Sequence, residues 1–348
     1  MRVWYNHGYS QTLDAFTLIR ADAPYPVFLI ATHASPLAPV FLEADFSVVE
    51  PDISRARPAG QKAYVDWCLD FAAANKVDVF VAQRSRAAIA MRKKEFEAVG
   101  TKVIVAADPL ILDMMDNKAV FYTVCANEGL PTPITHKVTS VQEFDKAVIS
   151  IRAAGFDVCV KPPFGVFASG YFRLEDRSTL FSQLMTIEDR SLKTAVVRDA
   201  IDEMGTEMPK MLVMQHLPGV EWSVDCLCED GEILAAVSRR KQDTAQLVET
   251  NGVAIDLARK VAKIFQLSNI VNIQMKSASL VADEPYVLEI NPRMSGGCVY
   301  AALAGINLPL LQLLKATGHL NTDQIPGGKT VTVSSINTAV DLTRLMAA

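Results

Sequence analysis

The stretch "NIVNIQMKSASLVADEPYVLEINPRMSGG", residues 269–297, threads polar side chains through two apolar, strand-like runs. Asn272 and Gln274 are two apart in the first run, and Glu289 and Asn291 two apart in the second. Each pair therefore shares one face of its strand. An antiparallel pairing through the "ADEP" turn would bring the two faces side by side. Oxygen ligands with a single carboxylate suit Mg²⁺, which takes its other ligands from water and nucleotide phosphates. Arg293 follows two residues on, on the same face if the strand persists, with a guanidinium able to fork onto an anion. Any one of these residues alone reads equally well as part of a solvated sheet face. The set together favours a site.

At 348 residues the chain calls for two or three subdomains. Half the residues are hydrophobic and 21% charged, a globular composition. A net charge of −5 gives no electrostatic footprint for nucleic acid or an anionic membrane, so neither is an expected partner. No apolar stretch reaches spanning length and "MRVWYNHGYS" does not read as a signal peptide, so a cytoplasmic protein is expected. Six cysteines are scattered at 68, 125, 159, 226, 228 and 298 without zinc-ligand spacing. Free, buried thiols are expected, and no histidine partner marks a catalytic one.

The first hundred residues alternate strands ("RVWYN", "PVFLIAT", "VDVFVA", "KVIVA") with helices ("QTLDAFTLIRA", "AYVDWCLDFAAANKV", 86–99). This order predicts a parallel sheet covered on both faces. The single glycine of "NHGYSQT" argues against a dinucleotide fingerprint. From about residue 112 the character changes. The pattern predicts a helix over 116–129 stopped by Gly129, a strand over 134–139, a helix over 141–154 and the strand "DVCVKP". A small-residue loop and a helix over 176–190 follow. A hairpin turning at Glu229-Asp230-Gly231, a helix over 253–266, the opening hairpin, a helix over 298–316 and a strand near 330–337 complete the reading.

Two further constellations bear on chemistry. Lys161 ends an apolar strand and precedes "FGVFASG", whose backbone N–H groups suit phosphate; a plain turn would look alike. In "MQHLPGVEWSVD", Gln215-His216-Leu217 link two apolar strands, where backbone groups can read a base edge. Glu221 beyond them can accept from ribose hydroxyls, and Asp225 on the same strand face reads as structural.

Together these pieces resemble the ATP-grasp superfamily over roughly residues 112–318. The resemblance implies an α/β N-terminal (pre-ATP-grasp, Rossmann-like) domain over 1–111, followed by an α+β ATP-grasp fold of two subdomains. These would be a small one with a glycine-rich flap over 112–210 and a C-terminal one with the Mg–ATP site over 211–348. It assigns ATP binding to Lys118, Lys161, the flap 164–170 with Gly165, Ser169 and Gly170, the hinge Gln215, His216 and Leu217, and Glu221. "EINPR" is its most specific motif and makes Glu289 and Asn291 metal ligands. "NIQM" resembles the "NVQF" of the carbamoyl-phosphate synthetase large chain, which adds Gln274. "INPRMSGG" and "ALAGINLPLLQLLKATG" extend that likeness. The flap departs from the pattern in holding Phe164, Phe167 and Tyr171, as does the hinge in holding His216. Only one ATP-grasp unit is present where that large chain has two.

The implied cofactors are ATP and Mg²⁺, with Mn²⁺ as a substitute, and the implied reaction is an ATP-dependent ligation. A carboxylate becomes an acyl phosphate, which an amine then attacks. Lys118, Lys161, Mg²⁺ and Arg293 supply charge. Strand alternation lets one of Arg239 and Arg240 face inward, with Arg240 preferred. Backbone groups around Ser295–Gly297 are placed to hold the acyl phosphate, and closure of 164–170 to exclude water. The expected partners are small carboxylate and amine substrates; a homodimer is compatible with the reading. A small-molecule phosphotransferase or a nucleotide-binding regulator are the alternatives. His7, Gln83, Arg84 and Arg86 follow strand ends, where open α/β sheets place ligands, and "AQRSR" suits either an acidic substrate or an exposed basic helix start.

Overall fold

The computed structural model describes residues 1–8, 10–55, 57–164, 169–281, 283–336 and 338–346. Gly165, with 166–168 of the expected flap, lies outside the described residues. The chain forms two compact units. The larger comprises Met1–Asp113, Trp222–Gln274 and Ile290–Ala348, the smaller Met114–Glu221 and Met275–Glu289. The boundaries between them fall within one helix and three strands.

The larger unit opens with β1 (Arg2–Asn6), α1 (Ser10–Asp22), β2 (Phe28–His33), β3 (Phe46–Val49), α2 (Pro58–Ala74), β4 (Val79–Val81), α3 (Arg86–Met91), α4 (Lys93–Ala98) and β5 (Lys102–Ile104). The strands form a parallel sheet in the order β3-β2-β1-β4-β5. Period-2 alternation in apolar runs explains its two-sided burial. Val3 and Tyr5 join a core with Phe16 and Ile19 of α1, while Trp4 points into the opposite core with Tyr64, Phe71 and Phe80. Trp4 stacks on Phe80 with centroids 3.9 Å apart and donates its indole N–H to Thr32 Oγ1 at 3.1 Å. The helix expected over 86–99 is two, α3 and α4, meeting at Arg92. Strand β3 is an addition to the sequence reading.

After α5 (Pro109–Asp116), the smaller unit holds α6 (Lys118–Asn127), β6 (Thr135–Val138), α7 (Val141–Ala153), β7 (Val158–Lys161), β8 (Phe172–Leu174), α8 (Leu180–Met185), β9 (Ser191–Leu192), α9 (Thr194–Met204) and β10 (Met211–Gln215). Its sheet runs β6-β10-β7-β8-β9. Phe144, Ala147, Val148 and Ile151, at helical spacing on α7, pack on Val158, Val160 and Val213. The helix expected over 176–190 is the shorter α8 followed by a 3-10 turn at Ile187–Asp189, and β8, β9 and α9 on either side are additions to the sequence reading.

The third sheet is built by β11 (Glu221–Glu229), β12 (Glu232–Gln242), β13 (Ala245–Glu249), β14 (Asn269–Ser277), β15 (Pro285–Asn291) and β16 (Val331–Val333), in the order β15-β14-β11-β12-β13-β16. Helix α10 (Val253–Ile264) precedes β14; α11 (Cys298–Leu303) and α12 (Leu308–Ala316) follow β15. The β11–β12 hairpin closes through Asp230 (φ 45°) and Gly231 (φ 87°), a two-residue turn with both centres left-handed, which favours the Asp-Gly found there. The helix expected over 298–316 breaks at Gly305, and Asn307 caps its second part by accepting from the Leu310 N–H at 3.2 Å. Leu313 and Ala316 of α12 pack in the Val3–Tyr5 core of the N-terminal sheet. All six cysteines are free and buried.

Gly219 leads into β11. Its N–H donates to the Ser277 carbonyl at 3.1 Å, and a Cβ there would run into the Ser279 carbonyl and lie 2.7 Å from Ser277 Cβ. Gly219→Ala is therefore expected to destabilise the protein by about 1–3 kcal/mol. A thermal melt beside the wild type checks this; an unchanged midpoint would show that the turn relaxes freely.

Candidate functional site

In the smaller unit, Asn117 caps α6 and places Lys118 as its first residue. The Lys118 backbone N–H donates to the Pro163 carbonyl at 3.1 Å, tying the helix start to the chain just past β7. Its ammonium lies 3.6 Å from the Glu289 carboxylate. Lys161, at the end of β7, donates to Tyr122 Oη at 3.0 Å, and Tyr122 donates to the Leu288 carbonyl at 2.6 Å. Burial pushes the pKa of both lysines down, while Glu289 pulls each back up; Lys161 depresses Lys118 further. Two shielded ammonium groups thus lean on one carboxylate. A polyanion brought to them gains charge-assisted hydrogen bonds that this carboxylate alone does not saturate.

The hinge residues follow β10. The Gln215 N–H donates to the Ile134 carbonyl at 2.8 Å and the His216 N–H to the Asp157 carbonyl at 2.7 Å. Both of these N–H groups are thus already paired within the smaller unit. Gln215 is buried, its Oε1 accepts from the Ile134 N–H at 3.3 Å, and its Nε2 has no partner among the described residues. His216 Nδ1 lies 2.8 Å from the hydroxyl of Tyr171, just after the flap. Burial lowers the His216 pKa to about 4, with Lys276 and Arg173 acting the same way, so its ring is neutral at pH 7. Ser169 and Gly170 are exposed, and Glu221 is half-buried at the start of β11.

In the larger unit a polar network joins the strand faces. Asn272, 1% exposed, donates to Ser223 Oγ and Asp225 Oδ1, both at 2.8 Å, and accepts from Asn291 Nδ2 at 3.4 Å. Arg239 donates to Asp225 Oδ2 at 2.8 Å, Ser223 Oγ at 2.8 Å, Gln246 Oε1 at 3.0 Å and Ser295 Oγ at 3.0 Å. The preference for Arg240 is corrected here. Ser223 pairs with Arg239 and Trp222 with Arg240, so Arg239 shares the face of Ser223 and Asp225 while Arg240 lies over Trp222, its Cζ 6.0 Å from the ring centroid. Asn272 is likewise a structural bridge, and Asp225 is structural as expected.

Strand β15 ends at Asn291, and the Arg293 N–H turns back to the Asn291 carbonyl at 2.8 Å. Alternation therefore does not place Arg293, which donates to the Met294 carbonyl at 3.1 Å and lines a cavity of about 20 Å³ with Gln83 and Asn269. The Gly297 N–H donates to Ser295 Oγ at 2.9 Å, and a Cβ on Gly297 would collide with the Arg239 guanidinium. Gln274 is half-buried on the Asn272 face of β14. Among the described residues no three His, Cys, Asp or Glu side chains converge as a metal cage. An oxygen set with one carboxylate, completed by phosphates and water, fits Mg²⁺ held with a nucleotide rather than a stand-alone metal. Sequence reasoning missed Tyr122, whose place comes from tertiary contacts with no local motif.

Arg239 and Asp225 form a pair whose side chains are 10% and 2% exposed. Arg239→Ala strands a buried carboxylate and is expected to cost about 3–5 kcal/mol, and pairing it with Asp225→Leu should recover much of that loss in chemical unfolding. His216 gives a pH effect. Its folded pKa is below the unfolded value, so its contribution is fully present above pH 6.5 and is lost as pH falls toward about 4. The unfolding midpoint of the wild type should fall across that window more steeply than that of His216→Gln; parallel curves would contradict the assignment.

A family profile described as "ATP-grasp in the biosynthetic pathway with Ter operon" matches residues 207–339. The carbamoyl phosphate synthase large chain of Acidobacterium capsulatum is 24% identical over 255 residues, 68% of this chain and 21% of that protein. The chain thus spans about a fifth of such a relative's length. Among solved structures, N5-carboxyaminoimidazole synthetase from Staphylococcus aureus complexed with ADP superposes with a TM-score of 0.64 at 12% identity, covering 95% of this chain and 79% of that one. The L-amino acid ligase from Bacillus licheniformis gives 0.62 at 14% identity, covering 94% and 76%. Among the described residues no helix is long and apolar enough to cross a membrane. The chain resembles a single ATP-grasp unit of the carbamoyl phosphate synthase large chain.

Proposed function

We propose that the chain is an ATP- and Mg²⁺-dependent ligase that activates a carboxylate as an acyl phosphate for attack by an amine. The observation that carries this reading is the pair of buried lysines, Lys118 and Lys161, leaning on Glu289, with Asn291 two residues further along the same strand. ATP-grasp enzymes use ATP and Mg²⁺, and a neighbour in fold is solved with ADP.

In this reading Lys118 and Lys161 neutralise the nucleotide phosphates, Ser169 and Gly170 belong to the covering flap, and the hinge 215–217 with Glu221 takes adenine and ribose. Gln274, Glu289 and Asn291 would hold Mg²⁺, or Mn²⁺ in its place, and the ion would supply positive charge to the nucleotide phosphates. A carboxylate oxygen of the acid attacks the γ-phosphorus, and the bond to the bridging oxygen breaks with its electron pair leaving on ADP. The amine nitrogen then attacks the acyl carbon, the C–O bond to phosphate breaks, and the nitrogen loses a proton. No protein nucleophile is required; position and charge supply the rate. Arg293 is assigned to the transferring phosphoryl group. Arg239, saturated by Asp225, Ser223, Gln246 and Ser295, is a positioning residue that fixes the Ser295–Gly297 backbone. The sheet over 1–111 serves as the pre-ATP-grasp domain, and the acid and amine are small molecules.

ADP release with Mg²⁺, across acids with and without amines, tests the reading. Release should depend on one acid, give a stable product only with an amine, and fall roughly 100-fold or more in Glu289→Ala and Lys161→Ala. ADP formation that ends in a stable phosphorylated product, whatever amine is added, would replace the ligase with a phosphotransferase. ATP binding without turnover on any acid would indicate a regulator.

A further inference from the structure

Beyond the residues already assigned, the densest set of buried polar groups lies at the C-terminal ends of the strands of the N-terminal sheet. Strand order reverses there, since β2 and β3 lie to one side of β1 and β4 and β5 to the other. In open parallel sheets a ligand crevice forms at such a reversal. His7 follows β1, His33 ends β2, Glu50 follows β3, and Gln83 and Arg84 follow β4.

These residues hold one another in place. The His7 and His33 rings stack with centroids 4.3 Å apart and planes within 10°. The Arg84 guanidinium meets His7 Nε2, and Glu50 Oε2 lies 3.9 Å from His7 Nδ1. Asn6 Oδ1 accepts from the Gln83 N–H at 2.7 Å and the Arg84 N–H at 3.3 Å, while its amide donates to the Tyr64 hydroxyl at 2.9 Å. Arg55 lies over the Tyr64 ring at 4.9 Å. His7 sits at φ 44°, left-handed backbone that a non-glycine residue adopts at a cost and that gathers at ligand sites.

Two buried acceptors point to a missing ligand. Gln83 is 3% exposed and its Oε1 has no hydrogen-bond partner among the described residues; Glu50 is 4% exposed and the same holds for its Oε2. Leaving such groups unsatisfied is costly, so a bound molecule or water belongs there. Gln83 also lines the cavity of about 20 Å³ with Arg293, room for about one water. The net charge is positive, with Arg84 and Arg55 set against the single carboxylate of Glu50. Burial first, then Arg84, His33 and Arg55, holds the His7 pKa down to about 3, so Arg84 rests on a neutral imidazole lone pair. A carboxylate or phosphate oxygen is a stronger, charge-assisted acceptor for that guanidinium.

We propose that this strand-end cluster is an anion subsite taking a carboxylate or phosphate group of a substrate, with Arg84 as its principal contact, Arg55 as a second, and Gln83 Oε1 accepting from a donor on the same molecule. Naming the occupant a substrate rests on the ligase reading; binding of the anion does not.

The test follows the His7 and His33 imidazole signals of the full chain by ¹H–¹⁵N NMR at neutral pH. Inorganic phosphate and, separately, succinate are added without nucleotide, and ATP is titrated into a parallel sample. Saturable shifts of both rings are expected, with affinity roughly 10- to 100-fold weaker in Arg84→Gln. Should that variant fail to fold by circular dichroism, Arg55→Gln serves, with weakening in the same direction. A response to phosphate alone identifies a phosphate-bearing substrate, and one to succinate alone a carboxylate-bearing one. No saturable shift with either anion, or equal affinity in a folded variant, overturns the proposal. Anion shifts that persist in a protein unable to bind ATP would leave the subsite standing and remove the ligase reading.

Discussion

Two ammonium groups, Lys118 and Lys161, are held away from water and lean on the carboxylate of Glu289. Burial lowers the proton affinity of both, and this carboxylate opposes it. Much of the smaller unit serves that balance. The Asn117 cap starts a helix so that Lys118 faces Glu289, strand β7 ends on Lys161, and Tyr122 joins Lys161 to the carbonyl just before Glu289. An arrangement of this kind stores positive charge at a fixed place. It suits a reaction whose barrier is electrostatic and needs no nucleophile from the protein.

The larger unit solves the opposite problem, that of a buried carboxylate. Asp225 is paired by Arg239 and hydrogen-bonded by Asn272, and the same guanidinium reaches Ser223, Gln246 and Ser295. With Arg239 engaged through four hydrogen bonds, the loop after β15 is fixed at Ser295, and Gly297 must lack a side chain to admit the guanidinium. Asn291 is tied to this frame through Asn272. Shared bonds of this sort set orientation more than stability, because a satisfied buried pair returns little net free energy.

Sequence alone carried the parallel N-terminal sheet, the Asp230-Gly231 hairpin and the polar pairs of the opening stretch. In each case a side-chain period or a turn requirement is written locally. Misses arose where local pattern and tertiary packing separate. Strand β3 is a four-residue sheet edge, and β13, five residues beside β12, is too short for a period to stand out even though Asp243-Thr244 turn into it and Asn251-Gly252 lead out of it. The helix expected over 298–316 is interrupted at Gly305, where periodicity continues through a break. Which of Arg239 and Arg240 faces Asp225 depends on pairing register with β11, and a one-residue slip would reverse it. The place of Arg293 depends on β15 stopping at Asn291. The role of Tyr122 rests on its hydroxyl reaching Lys161 and Leu288, contacts that leave no trace in spacing.

Helix α12 adds a consequence for the order of assembly. Leu313 and Ala316 complete the core beneath Val3, Tyr5 and Val81, and the Lys102 ammonium donates to the Ala316 carbonyl at 2.6 Å. The Gln11 amide reaches the Met294 carbonyl, and the Asn307 amide the Leu18 carbonyl. The first sheet therefore waits, during synthesis, for a helix made some two hundred residues later. Until then the part of that apolar face which α1 does not cover stays open to solvent or to a chaperone, and loop closure over that span slows completion of the fold.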